Sequence, residues 1–145
     1  MKYYTALFGM ITLLLLSACS HTRYNNQDDR IVIPTLGVEF SWQGMQRCLG
    51  TSPQVSLSGV PPNTQFLEFV LKDIYFPFFP HGGGHMRYTG INTIPEGEIA
   101  NSEGHFIGPC APPFFPGQYE FTVRAIDSNN HIIALGQSTR PFPHR

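Results

Sequence analysis

Apolar and polar residues alternate most regularly between residues 119 and 126. The apolar members of this alternation are Tyr119, Phe121, Val123 and Ala125. A period of two places successive side chains on opposite faces of a β-strand, so the pattern predicts a strand with one buried face. Residues 108–117, which precede it, contain four prolines and two glycines. Because this density interrupts helices and central strands, we expect a stiff loop there, where β-proteins often place binding sites.

Shorter apolar stretches predict the other strands. These are expected at 31–33, 36–42, 55–57, 66–73 and 90–94, with a turn of helix within 96–102. A last strand begins over 132–135 and closes a hairpin across the turn 127–130, and residues 140–145 form a tail. Segment 66–73 is apolar on both faces, which is typical of a strand in the middle of a sandwich. Trp42 lies in an alternating stretch and is expected in the core. Between Ile74 and Tyr88, two prolines and three glycines predict irregular structure.

Composition favours one domain that is mainly β. The chain has 145 residues, of which 14 are glycine and 13 are proline. Short strands joined by turns suit this composition better than long helices do. The formal net charge is −1, and the nine Lys and Arg residues are scattered singly. Nucleic-acid binding is excluded on this ground, because it relies on a basic stripe.

The N-terminus resembles that of a bacterial lipoprotein. Lys2 is followed by an apolar run over 6–16, which is too short to span a membrane but suits a secretory signal. The run ends in Leu-Ser-Ala-Cys at 16–19, which resembles the lipobox in which the cysteine is acylated, for example with palmitate. We expect a signal peptide over 1–18 and a lipid on Cys19. Ser20, which is not aspartate, implies the outer membrane; the alternative is an ordinary signal peptide with a chance cysteine.

The rest of the chain divides into a tether and a domain. Residues 19–30 are polar and lack an apolar period, so we expect a flexible tether. A single domain is expected over 31–145. After acylation of Cys19, the thiols that remain are Cys48 and Cys110. In an oxidising envelope these two predict a disulfide, and the alternative is two buried free cysteines.

The sequence contains one motif similar to a catalytic loop and one set of possible metal ligands, and both interpretations are disfavoured. The sequence His81-Gly82-Gly83-Gly84 is similar to the oxyanion loop of esterases, but no Gly-x-Ser-x-Gly nucleophile motif accompanies it. His81 and His85 with Asp73 offer metal ligands, yet a glycine spacer does not fix two imidazoles as a helix does. We therefore expect a protein that is not an enzyme and holds no metal.

Aromatic residues are concentrated on two proline-bound segments. They are Tyr75, Phe76, Phe78, Phe79, Phe114 and Phe115. One interpretation is that the rings plug the end of a sandwich. The other is that they form a pocket wall or an exposed surface, which would mark a contact with a lipid, a ligand or a protein.

Four sequence blocks carry a resemblance to a known family. Residues 52–61, a strand that ends at Asp73, the Gly-Pro-Cys-x-Pro-Pro block at 108–113 and the strand 119–127 occur in that order in the phosphatidylethanolamine-binding protein family, in its bacterial Raf-kinase-inhibitor-like branch. The resemblance covers about 48–127. It implies an antiparallel β-sandwich with little helix, here with a shortened C-terminal part, and a small end pocket for anions and phospholipid headgroups that needs no cofactor.

The resemblance transfers the pocket residues only in part. Asp73 begins the family's Asp-Pro-Asp-x-Pro loop, but Ile74 and Tyr75 replace its proline and second aspartate. For the family's histidine, ungapped counting reaches Tyr88, and His85 requires a gap. Backbone N–H groups near His81 are a hypothetical anion nest that would replace the missing imidazoles. The expected ligand-binding residues are Asp73, His81, Gly82, Gly83, His85, Tyr88, Pro109, Pro112 and Tyr119.

Together these observations predict a lipid-anchored envelope protein. It would sit on the periplasmic side of the outer membrane and bind a phospholipid headgroup or a small anion without catalysis. The alternative is an assembly subunit of a larger envelope complex, for example a secretion machine, that uses the aromatic segments to contact a protein partner.

Overall fold

The domain consists of two antiparallel β-sheets with one short helix. The computed structural model describes residues 32–142, so the expected signal peptide, Cys19, the segment 19–30 and residues 143–145 lie outside the described residues. The elements are β1 (Gly37–Phe40), β2 (Val55–Ser58), β3 (Phe66–Asp73), β4 (Gly83–Arg87), β5 (Thr93–Ile94), α1 (Glu98–Asn101), β6 (Gly117–Ile126) and β7 (Ile132–Phe142). Within 32–142, no helix has the length and apolar character that crossing a membrane requires.

The two sheets have the strand orders β1-β2-β5 and β4-β3-β6-β7. All named strand pairs are antiparallel. The mainly β, antiparallel fold expected from the sequence is therefore confirmed. Strand β3 is central, as predicted from its apolar residues on both faces, because β4 and β6 flank it.

The core follows from the alternation along β6. Its inward-facing residues are Tyr119, Phe121, Val123 and Ala125, and all four are fully buried. Trp42 is buried as predicted, and its indole stacks on the Phe121 ring with centroids 5.9 Å apart. Phe40 meets the same Phe121 ring edge-on at 5.0 Å. These aromatic contacts join the three-stranded sheet to the four-stranded one.

Strand β4 corrects the expectation of irregular structure between Ile74 and Tyr88. Residues Gly83–Arg87 pair with β3, with Gly83 opposite Val70. The glycines permit this strand because neighbouring backbone approaches closely. A Cβ atom on Gly83 would collide with the carbonyl oxygen of Phe69, and one on Gly84 would collide with Ser102 and Ile99. The glycines interrupt the alternation by which a strand is predicted from sequence. Their lack of a side chain is nevertheless what allows β4 to pack closely against its neighbours.

The first and last predicted strands also differ in extent. Val32 and Ile33 belong to no strand; instead Thr35 makes an isolated parallel bridge to Leu135. Strand β7 runs from Ile132 to Phe142, so the expected tail from residue 140 is partly strand. The cause is β6, which offers hydrogen-bonding partners along its whole length down to Gly117.

A disulfide joins Cys48 to Cys110, which confirms the predicted pairing. Backbone hydrogen bonds reinforce it: the Cys48 N–H donates to the Pro109 carbonyl, and the Gly108 N–H donates to the Leu49 carbonyl, both at 2.9 Å. The loop that precedes β6 is thus fixed to the loop that follows β1. This connection positions the candidate site described next.

Candidate functional site

Asp73 and Tyr119 meet at one end of the four-stranded sheet. They are Cα partners across β3 and β6, and both side chains are buried. Strand β3 ends at Asp73, whose Oδ1 accepts the N–H groups of Tyr75 at 2.8 Å and Phe76 at 3.0 Å. This carboxylate therefore holds the turn that follows β3 in a fixed conformation.

The Tyr119 hydroxyl connects that turn to the loop before β6. It accepts the backbone N–H of Cys110 at 3.0 Å. Burial, with added contributions from hydrogen bonding to Asp73 and from the charge of Asp73, raises the pKa of Tyr119 to about 12. The Cys110 N–H and the charge of Arg47 act in the opposite direction on that pKa. The phenol is thus held neutral between a carboxylate and a disulfide-bound loop.

His81 supports the same network from the side. Its Nδ1 lies 3.0 Å from the carbonyl oxygen of Ile107 and 3.2 Å from that of Gly108. Carbonyl oxygens only accept, so Nδ1 carries the proton and donates to them. The imidazole packs edge-on against Tyr119 at 5.2 Å and against the Phe79 ring at 4.8 Å. Buried in this way, His81 positions Tyr119 and the start of the loop 108–116.

A pocket of about 470 Å³ opens beside Asp73. Its lining comprises Asp73, Tyr75, Phe76, Ala111, Pro112, Phe115, Pro116 and Gly117. The turn after β3 forms one wall and the loop before β6 forms the other. Apart from the Asp73 carboxylate and the Tyr75 hydroxyl, the lining side chains are apolar. Such a pocket suits a ligand with an apolar part and one group that a carboxylate recognises.

The aromatic segments lie around this pocket and face outward. We call the six rings together the ring surface: Tyr75, Phe76, Phe78, Phe79, Phe114 and Phe115. Their exposed fractions run from 47% for Phe79 to 98% for Phe78. Rings this exposed do not plug the end of the sandwich, so the structure favours the pocket wall or contact surface over the plug.

Five of the predicted site residues come together at this end. Asp73, His81 and Tyr119 form the buried network described above. Pro112 lines the pocket. Pro109 is fully buried and acts through its carbonyl, which accepts the Cys48 N–H.

His85 and Tyr88 lie elsewhere. His85 is opposite Glu68 in β3, five residues before Asp73, which places it about 17 Å away along the strand. Its ring stacks on Phe66. The Tyr88 N–H donates to the Gln65 carbonyl, about 26 Å before Asp73 along β3. Counting along the sequence failed because the glycine-rich strand β4 runs away from Asp73.

Gly83 does not contribute its N–H to the expected anion nest. The Gly83 N–H already donates to the His105 carbonyl at 2.7 Å. Gly82 has a φ of +70°, which favours glycine, and it bridges to Phe106. A Cβ on Gly82 would collide with the His105 carbonyl group. Both glycines therefore serve close packing of the segment 103–107 against β4.

The metal and oxyanion interpretations gain no support from this arrangement. Among residues 32–142, no group of three His, Cys, Asp or Glu side chains is placed to hold a metal ion. The separation of His85 from Asp73 explains why His81, His85 and Asp73 do not form a metal site.

Arg47 is a neighbour of the site that the sequence did not predict, and its charge acts on the Tyr119 hydroxyl. Its place beside Cys48 was the available signal, since the disulfide brings that loop to β6.

Comparison with solved structures identifies the fold. The phosphatidylethanolamine-binding protein homologue CT736 of Chlamydia trachomatis matches with a TM-score of 0.59 and 17% identity, over 77% of this chain and 99% of that protein. The domain has the phosphatidylethanolamine-binding protein fold. YbcL of E. coli, a member of the mammalian family of that name, matches with a TM-score of 0.51 and 20% identity, over 66% of this chain and 82% of YbcL. No protein-family model and no curated protein matches this chain by sequence.

The matches confirm, at the level of fold, the resemblance found in the sequence blocks. In this domain of the phosphatidylethanolamine-binding type, Asp73 and Tyr119 lie at one end, where the resemblance expected a pocket. The identity of 17–20% to these structures establishes the fold alone.

The raised pKa of Tyr119 predicts a loss of stability at high pH. Between about pH 10 and pH 12, tyrosine in the unfolded chain is deprotonated while Tyr119 in the folded chain keeps its proton. The unfolding free energy therefore falls as pH rises, by up to about 1.4 kcal/mol per pH unit from this residue. Urea unfolding at pH 9, 10 and 11 measures the slope. The Tyr119→Phe variant should lose stability less steeply; parallel curves for the two proteins contradict the assignment.

Proposed function

We propose that this chain is an envelope lipoprotein whose domain binds a phospholipid headgroup in the pocket beside Asp73, without catalysis. The observation that carries the proposal is the pocket itself: an apolar, ring-lined site of about 470 Å³ with one buried carboxylate. The Asp73 Oδ1 already accepts two backbone N–H groups, and the lining contains no Ser, Thr, Cys or His side chain that this carboxylate could activate. The fold shared with phosphatidylethanolamine-binding protein homologues supports the same ligand class.

The charges around the pocket favour a zwitterionic headgroup over a bare anion. An ammonium group suits the Asp73 carboxylate and the faces of Tyr75 and Phe115, because aromatic rings attract cations. A phosphate suits Arg47, whose charge reaches the Tyr119 hydroxyl. Since the charged group in the lining is itself negative, a bare anion would have a less favourable electrostatic interaction with the pocket.

The envelope location has independent support. The sequence 16–19 resembles a lipobox, and the Cys48–Cys110 disulfide is of the kind that persists in an oxidising compartment. We propose that acylated Cys19 anchors the domain to the outer membrane, on its periplasmic side. Residues 20–30 would form the tether.

A second candidate function is that of an assembly subunit in an envelope complex. The exposure of Phe78 and Phe114, at 98% and 84%, favours it, because apolar rings on a surface are typical of contact sites. In this case the pocket would hold a side chain of the partner protein.

Ligand binding is tested by nuclear magnetic resonance on the chain from residue 19 carrying Cys19→Ser. We expect glycerophosphoethanolamine to shift the amide signals of Tyr75, Phe76 and Gly117. Asp73→Asn should raise the dissociation constant at least tenfold, because the carboxylate charge is lost. His85→Ala, about 17 Å along β3 from Asp73, is the matched control and should bind normally.

The same titration separates the ligand classes. Inorganic phosphate that shifts the same amides at equal concentration would assign the pocket to bare anions. Signals that stay unchanged with both probes contradict ligand binding by this pocket.

The lipid anchor predicts a specific modification. Cells fed labelled palmitate should incorporate it into the wild-type protein and not into Cys19→Ser, because the thiol is the expected attachment point. Equal labelling of both proteins contradicts the anchor without affecting the pocket.

A further inference from the structure

The ring surface is large enough to be a docking site. The six residues expose on the order of 800 Å², most of it aromatic ring, as estimated from their exposed fractions and the size of aromatic side chains. The largest apolar patch on a typical monomer covers roughly 300–600 Å². About 800 Å² per partner is also the area of a stable interface.

Two loops carry these rings, and neither contains a charged residue. They are segments 74–80 and 111–116. A protein interface of this area ordinarily includes a hydrogen bond for every 100–200 Å² or so. The Tyr75 hydroxyl is the single polar side-chain group of the two segments. The loops thus offer a protein partner little to recognise beyond apolar surface.

The backbone of the loops points to the same conclusion. Of their 13 residues, five are prolines without an N–H group. Five more N–H groups donate within the domain, namely those of Ile74, Tyr75, Phe76, Phe79 and Phe115. In a lipid environment, backbone donors must be satisfied internally. Ten of the 13 positions meet that condition, which loops that face water do not need to meet.

We propose that the ring surface docks on a phospholipid bilayer, with the rings at the boundary between headgroups and acyl chains. Aromatic side chains favour this boundary. The pocket beside Asp73 opens among the rings, so a headgroup of the docked bilayer reaches the carboxylate without leaving the membrane. Binding of a headgroup from the docked bilayer rests on the proposed function, whereas docking by the rings does not.

The proposed anchor brings a bilayer within reach. Thr35 bridges to Leu135, which is opposite Arg124 in β6, seven residues from Gly117 at the ring end. That separation is about 24 Å along the strand. The 16 residues from Cys19 to Thr35 extend to at most about 55 Å. The chain is therefore long enough for anchor and ring surface to contact the same membrane.

Charges near the loops balance, so docking depends on the rings. Arg47 and Lys72 are exposed behind the ring surface, but Glu120 is opposite Lys72 across the strands. Arg140, opposite Tyr119, lines a groove with Glu39 and Glu96. Attraction to anionic lipids is consequently weak, and binding should resist salt.

Vesicle sedimentation tests the proposal on the chain from residue 19 carrying Cys19→Ser, which has no acyl group. Vesicles of phosphatidylcholine alone and of phosphatidylethanolamine with phosphatidylglycerol should both bind it. Binding should change less than about threefold between 0.05 and 1 M NaCl, as expected for apolar docking. The double variant Phe78→Asp with Phe114→Asp should bind at least tenfold more weakly. Ile132→Asp, an exposed apolar site at the other end of β6 and β7, is the matched control and should bind normally.

The outcomes separate docking from headgroup recognition. Absence of binding to both vesicles, or undiminished binding by the double variant, overturns docking; in the first case the rings serve a protein partner. Binding that collapses in 1 M NaCl also overturns it. Vesicle binding that persists in Asp73→Asn supports docking even if the headgroup titration fails. Conversely, headgroup binding without vesicle binding leaves the proposed function intact.

Discussion

The buried hydroxyl of Tyr119 is the contact on which the functional end of this domain depends. It stands between the Asp73 carboxylate, which ends β3, and the Cys110 N–H, which belongs to the loop before β6. The disulfide to Cys48 extends the same connection to the other sheet's loop. Three segments distant in sequence are thus held together through one phenol. In a dry interior, such a network is strong when complete and costly when one member is missing.

The exposure of the rings follows from this network. Asp73 uses its Oδ1 to fix the turn that carries Tyr75 and Phe76, and Tyr119 fixes the opposite loop through Cys110. Both loops are rich in proline and bonded to their own backbone, so they cannot fold their rings inward without losing those hydrogen bonds. A pocket and an apolar surface therefore arise from the same cause. Rigid loops of this kind bind with little further loss of conformational entropy.

The sequence predicted those parts of the fold that depend on local pattern. Alternation along 119–126 identified the buried face of β6, and the run 66–73 gave the bounds of β3. Asp73 and Tyr119 were also predicted, because their neighbouring blocks carry the family resemblance. The disulfide was predicted from the two thiols that remain in an oxidising envelope after acylation of Cys19. The strand at Gly83–Arg87 was not, since glycine reads as an interruption unless the Phe69 carbonyl that excludes a side chain is known.

Parts of the site that depend on long-range packing were missed for a similar reason. His85 and Tyr88 were placed by counting, but the direction of β4 carries them toward the other end of β3. His81 was expected to bind ligand directly, whereas its two carbonyl partners at 107 and 108 make it a support for Tyr119. No spacing along the chain reveals that these carbonyls converge on one imidazole.

The most direct test of this account is a double-mutant cycle for stability with Asp73→Asn and Tyr119→Phe. Asp73→Asn keeps the shape of the side chain and Tyr119→Phe removes only the hydroxyl, so the cycle isolates the interaction between carboxylate and hydroxyl. Unfolding free energies of the wild type, both single variants and the double variant should give a coupling energy of about 1–2 kcal/mol. Additive effects, with a coupling energy near zero, would contradict the claim that the Asp73–Tyr119 contact holds the two loops together.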